Sequence, residues 1–122
     1  MKMRIAVFGA AVTLAVTSLA IGLAGAADAK KHWSVRGLGS YTCSKYTGAP
    51  KAKGDYVNWM TGFISAYNWM QPDTYDVAGK MGPTSFTAFF DVYCKANPKK
   101  TINDAAMSFV DQFYSKRIKA KP

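Results

Sequence analysis

Helical hydrophobic spacing in three stretches, chain-breaking residues between them and a single pair of cysteines predict an all-α protein. The expected architecture is a small bundle of three main helices plus a short N-terminal turn, cross-linked by one disulfide. Four segments follow from the order of the chain: 1–26, 27–40, 41–117 and 118–122. The first reads as an export signal. Lys2 and Arg4 give a basic start, an uncharged apolar run extends from Ile5 to Leu23, and Ala24-Gly25-Ala26 is the small-x-small pattern cut by a signal peptidase. A second cleavage motif is Ala27-Asp28-Ala29, and a retained anchor is the alternative, since about 20 apolar residues span a bilayer. The expected location is the periplasm or the exterior.

Residues 27–40 are polar, contain glycine and show no clear period, which predicts a flexible N-terminal arm. Around Cys43 there is room only for a short helical turn before Gly48 and Pro50. Two cysteines, Cys43 and Cys94, allow one intramolecular pairing, and export into an oxidising compartment favours it. Without that oxidation they would be two buried thiols. The bridge would close a loop of about 50 residues, worth about 4 kcal/mol in the chain-entropy description. For a mature chain of 96 residues that is a large fraction of a total stability of about 5–10 kcal/mol.

The clearest helix runs from Asp55 to Trp69. Tyr56, Trp59, Met60, Phe63, Ile64 and Tyr67 fall at i, i+3, i+4, i+7, i+8 and i+11, one broad apolar stripe. Gly54 or Asp55 can cap its start, and Pro72 forbids continuation. Gly62 costs a helix about 1 kcal/mol against Ala. Together with Ser65 and Ala66 it therefore predicts a close helix neighbour, with Trp59 and Phe63 buried beside it. Residues 70–83 form a loop rich in turn-makers. A second helix is expected from about Thr84 to Ala96, with Phe86, Phe89, Phe90, Tyr93 and Cys94 on its apolar side, ended by Asn97-Pro98. Thr101 and Asp104 stand in a capping-box arrangement that opens a third helix. Its stripe is Ile102, Ala105, Ala106, Phe109, Val110, Phe113 and Tyr114, and Lys116 and Arg117 complement the dipole of its last turn. Residues 118–122 remain as a basic tail.

Charge bounds the partners. There are sixteen Lys+Arg and seven acidic residues, all of them Asp; with Lys2 and Arg4 removed, the mature charge is about +7. The cations concentrate at the ends, in Lys30, Lys31 and Arg36, then Lys116, Arg117, Lys119 and Lys121. A basic envelope protein meets anionic surfaces such as lipid head groups or cell-wall polymers, although frayed basic tails have the same composition. No nucleic-acid recognition motif accompanies the charge, so a nucleic-acid partner is not expected. Catalytic machinery is not expected either. The only histidine, His32, lies in the arm, and there is no nucleophile elbow, phosphate-cradling glycine loop or zinc spacing. Asp73 and Asp76 match no calcium loop and read as turn residues. No cofactor, metal or catalytic residue is expected. Four apolar residues at or in the central loop, Trp69, Met70, Tyr75 and Met81, either fold back over the core or form a contact patch for a protein partner.

Tyr41-Thr42-Cys43, the helix Trp59-Met60-Thr61-Gly62-Phe63-Ile64-Ser65-Ala66-Tyr67-Asn68, and Tyr93-Cys94-Lys95-Ala96-Asn97-Pro98 form a layout over residues 41–113 that resembles the HdeA-like small periplasmic helical proteins. The founding members, of the HdeA/HdeB type, are acid-stress chaperones. The resemblance implies a non-enzymatic stress-protective protein, a homodimer at rest, whose partners are unfolded clients. The layout is also similar to that of the Tai-type immunity proteins, which implies an alternative partner, a periplasmic cell-wall amidase. A third expectation, from charge, is a basic envelope-surface binding module. Unlike the chaperones, this chain is strongly basic; protonating its seven Asp and His32 would raise the mature charge from about +7 to about +15.

Overall fold

The structure, a computed structural model, describes residues 27, 30 and 32–122; the expected signal peptide, residues 1–26, lies outside the described residues. The chain divides into Met1–Trp33 and Ser34–Pro122, and the helices among the described residues belong to the second unit. They are α1 (Cys43–Thr47), α2 (Lys53–Met70), α3 (Pro83–Ala96) and α4 (Ile102–Phe113), with 3-10 turns at Gly37–Ser40, Pro50–Ala52 and Tyr114–Lys116. The protein is an all-α small bundle with one disulfide, Cys43–Cys94, as its sequence predicts.

Local chemistry accounts for most of the boundaries. Thr42 caps α1 by accepting from the Lys45 N–H. Pro83 occupies the first position of α3, where a missing N–H costs nothing, and that helix ends at Ala96 before the Asn97-Pro98 pair. The capping box of α4 is complete: the Asp104 N–H donates to Thr101 Oγ1, and the Thr101 N–H to Asp104 Oδ2. Only α2 starts differently from expectation. Neither Gly54 nor Asp55 caps it; the preceding 3-10 turn feeds directly into Lys53, and Ala52 at the N-cap offers no side-chain bond.

Aromatic rings fill the core. Tyr46, Met60, Phe90, Phe109, Ile102 and Val110 are fully buried. Tyr46 meets Tyr56 and Phe90 edge-on at 5.1 and 5.6 Å, while Phe109 meets Phe86, Phe89 and Phe113 at 5.3, 5.2 and 4.7 Å. Such pairs add about 0.5–1.5 kcal/mol each beyond simple burial. The entries of α1 and α4 are sewn together by an antiparallel bridge between Thr42 and Thr101, in which the Cys43 N–H donates to the Lys100 carbonyl and the Ile102 N–H to that of Tyr41.

Four expectations need correction. Helix α4 ends at Phe113 with no basic residue in its last turn: the chain tightens into the 3-10 turn that holds Lys116, and Arg117 follows in extended backbone, so neither cation complements the α4 dipole from within the helix. The arm does not extend to residue 40. Leu38 packs on the core, Gly39 is buried, and Trp59 Nε1 donates to the Arg36 carbonyl at 2.9 Å, so residues 36–40 belong to the bundle. The basic tail likewise begins one residue late, because Ile118 is bridged to Asp76. Finally, Gly62 faces no neighbour: it is exposed, and a Cβ built there meets nothing within 4 Å. Helix α2 is rotated so that Tyr56, Val57, Met60 and Ile64 are buried, leaving Trp59, Phe63 and Tyr67 as a half-buried stacked ladder along one edge. Gly62 thus bears its propensity cost without a packing return. Gly62→Ala is expected to stabilise the protein by about 1 kcal/mol and to raise Tm by about 4–8 °C. A thermal melt checks this, and an unchanged or lower Tm would contradict the exposed placement.

Candidate functional site

The end of α2 and the loop after it carry the exposed apolar side chains. Trp69 is 87% exposed, Met70 50% and Tyr75 47%. Met81 is different: it is half-buried and packs on the core, so its place is structural. Of the four residues expected to form a contact patch, the fold leaves three facing solvent.

One side chain ties the loop that carries Tyr75 to the end of α2 that carries Trp69 and Met70. Asn68, in the last turn of α2, donates from Nδ2 to Asp76 Oδ1 at 3.2 Å and accepts the Val77 N–H at 2.8 Å. The same Asp76 oxygen accepts the Ala78 N–H, an Asx-type turn of the kind expected for an aspartate here. The loop is thereby folded back on the helix that it leaves. Trp69 follows one partner of this clamp in sequence and Tyr75 precedes the other. Asp73 supplies the sharp bend, in the left-handed region at φ 52°.

The C-terminal segment closes the arrangement. Ile118 pairs with Asp76 in an antiparallel bridge, accepting from the Tyr75 and Asp76 N–H groups and donating to the Asp76 carbonyl. Arg117 rivets the junction. Its Nε donates to the Asp73 carbonyl and Thr74 Oγ1, its Nη1 donates to the Tyr114 carbonyl, and its guanidinium lies 4.0 Å over the Tyr114 ring. Neither Asn68 nor Ile118 stood out in the sequence. An asparagine near a helix end followed by Asp-x-Ala is compatible with many turns, and a lone isoleucine between basic residues has no period.

A second polar cluster lies between α1, α2 and α3. Tyr46 Oη donates to Asp91 Oδ1 at 2.7 Å, and Lys53 Nζ donates to the same oxygen at 2.6 Å. Burial pushes the Tyr46 hydroxyl well above its ordinary range, and the bond to Asp91 and that carboxylate's charge push it further, so it stays a neutral donor. For Asp91, burial acts upward, but the hydrogen bonds from Lys53 and Tyr46 and the Lys53 charge outweigh it and hold the carboxyl below its usual value. The disulfide sits one helical turn away on the same helix, Cys94 being three residues from Asp91.

Among the described residues no three His, Cys, Asp or Glu side chains converge to hold a metal. A shallow concavity is lined by Asn97, Pro98, Lys99 and Lys100. It offers cations but no acid–base pair. Among the described residues, too, no helix is long and apolar enough to cross a membrane, and the disulfide fits an oxidising location. Fold and surface together define a disulfide-braced helical domain with an exposed aromatic end. Compared with known protein families, curated proteins and solved structures, the chain matches none.

Proposed function

We propose that this is an exported, non-enzymatic, protein-binding protein of the HdeA-like kind, protecting client proteins in an acidified periplasm. The observation that carries the reading is the pairing of an acid-labile and an acid-proof link between the same two helices. Tyr46–Asp91 and Cys43–Cys94 both join α1 to α3, and Lys53 ties α2 to the first of them. A carboxyl held below its ordinary pKa contributes stability above that value, about 3.9, and loses it as pH falls through its lower folded value. The contribution is small, because the Lys53 and Asp91 side chains are 32% and 43% exposed. Global repulsion at about +15 acts in the same direction and over the same range. Acid thus loosens the helices while the disulfide keeps the chain together, baring the rings of Phe86, Phe89, Phe90 and Phe109 for clients.

The test is made below about pH 4. ANS fluorescence should rise reversibly, and the protein should suppress aggregation of an acid-denatured client. Simple acid unfolding also binds ANS, so client protection decides. A protein that opens yet leaves aggregation unchanged would refute the reading. Asp91→Asn should lower stability at neutral pH and flatten its fall as pH drops below about 5, as urea titrations would show. The exposed loop on a rigid frame also suits a second reading, an immunity or inhibitor protein whose Trp69 and Tyr75 plug a cell-wall amidase. Inhibition of such an enzyme at neutral pH, lost in Trp69→Ala, would favour it.

A further inference from the structure

Of the five large apolar side chains exposed within residues 34–122, three (Trp69, Met70 and Tyr75) lie at the end where the C-terminal segment is anchored. Val92 and Tyr41 are isolated elsewhere, as single exposed apolar residues commonly are. The bridge between Ile118 and Asp76 determines what surrounds the three. It places Lys116, Lys119 and Lys121, all exposed, on a segment fixed to the aromatic loop, and Lys80 lies on that loop. Arg117 is committed to the junction, so it holds the segment in place while its neighbours stay available. Three carboxylates share this end: Asp73, Asp76 and Asp111. Asp76 is already engaged by Asn68 and the Ala78 N–H. Counting Arg117, this end carries five cations and three anions, and all four lysines are exposed.

The geometry points to this end as a docking surface for an anionic lipid membrane, with Trp69, Met70 and Tyr75 entering the interface and Lys116, Lys119 and Lys121 meeting the head groups. This goes beyond the client-binding reading, which uses helix faces bared by acid; the surface described here is present at neutral pH. Two features favour a bilayer over a protein. A tryptophan 87% exposed at a helix end projects into solvent, and a fluid interface receives such a side chain without a complementary pocket. Tryptophan and tyrosine also settle at the head-group level, and lysine stems lie along apolar surface while their charges reach outward. The pattern is that of a peripheral anchor needing two weak signals at once, one apolar and one electrostatic.

The protein, purified as the cell processes it, is titrated at neutral pH with vesicles of phosphatidylglycerol and phosphatidylcholine, with pure phosphatidylcholine vesicles, and with soluble polyglutamate. Binding is read by co-sedimentation and by tryptophan emission. Expected are binding to the anionic vesicles alone, weakening with salt, and a blue shift that disappears in Trp69→Phe while binding persists. Trp69→Ser should weaken binding about tenfold. The combined change Lys116→Gln, Lys119→Gln, Lys121→Gln should weaken it about 100-fold. Unchanged melting temperatures would show both variants folded, as exposed positions allow. Absence of vesicle binding, binding that neither variant weakens, or binding indifferent to Trp69→Ser would each overturn the proposal. Trp69-dependent binding to polyglutamate without vesicle binding would overturn it in favour of an acidic polypeptide partner.

Discussion

Cys43→Ser should destabilise the protein by about 2–5 kcal/mol, the largest effect expected of any single substitution described here. The two cysteines are 51 residues apart and join α1 to α3. Both are buried, so the variant loses the loop-closure restraint on its unfolded chain and also leaves Cys94 as a buried thiol without its partner. The thermodynamic weight is high because α1 has only five residues and no independent helical stability. Apart from the bridge, it is held by Tyr46 in the core and by bonds to the turn before α4, from the Cys43 N–H to Lys100 and from the Ser44 N–H and Oγ to Pro98. Urea unfolding of oxidised and reduced protein, alongside the variant, checks the prediction. Reduced parent and variant should unfold at similar, much lower midpoints. A variant within about 1 kcal/mol of the parent would show that packing and these hydrogen bonds hold α1 without the bridge.

Gly39→Ala should cost about 1–3 kcal/mol, although it adds only one methyl group at a backbone any residue can adopt. A Cβ at Gly39 would lie 2.0 Å from Trp59 Cζ2 and within 2.6 Å of two further ring atoms. The indole is rigid. It is also held from both sides, stacked on Phe63 at 5.7 Å and bonded through Nε1 to the Arg36 carbonyl. Either the ring turns and loses that bond, or the 3-10 turn Gly37–Ser40 lifts from α2. Gly37 contributes separately, since its φ of 63° suits glycine. Trp59→Phe in the Gly39→Ala background should recover part of the loss by removing the clashing ring atoms. Chemical denaturation of the double-mutant cycle provides the measurement. Additive effects would show that the two residues do not meet.

The contrast between Gly39 and Gly62 shows where the sequence stopped informing. Both are glycines among apolar residues, and nothing local distinguishes them. Helical spacing pointed to Gly62 as the close-packed one, whereas the structure leaves Gly62 in solvent and presses Gly39 on Trp59. The α2 stripe was legible as a helix but not in its rotation. Six apolar residues span a face broad enough to bury either Tyr56-Met60-Ile64 or Trp59-Phe63-Tyr67, and only the partners that arrive decide.

For the candidate site the same limit applied. Trp69, Met70 and Tyr75 were visible as apolar residues at a loop, but their exposure, and the burial of Met81 beside them in sequence, depended on how the loop folds back. That fold-back rests on Asn68 with Asp76, and the tail on Ile118 with Asp76, contacts 8 and 42 residues apart in the chain. The sequence by itself determined what is local: helical periods, the capping box Thr101–Asp104, the stops at Pro72 and Pro98, and the sole cysteine pairing open to the chain. The tertiary structure alone decided which helix face is inside, which glycine is crowded, and that the basic C-terminus is fastened to the aromatic loop. Backbone donors and acceptors exist at every residue, so the bridges that fasten distant segments leave no mark on side-chain pattern.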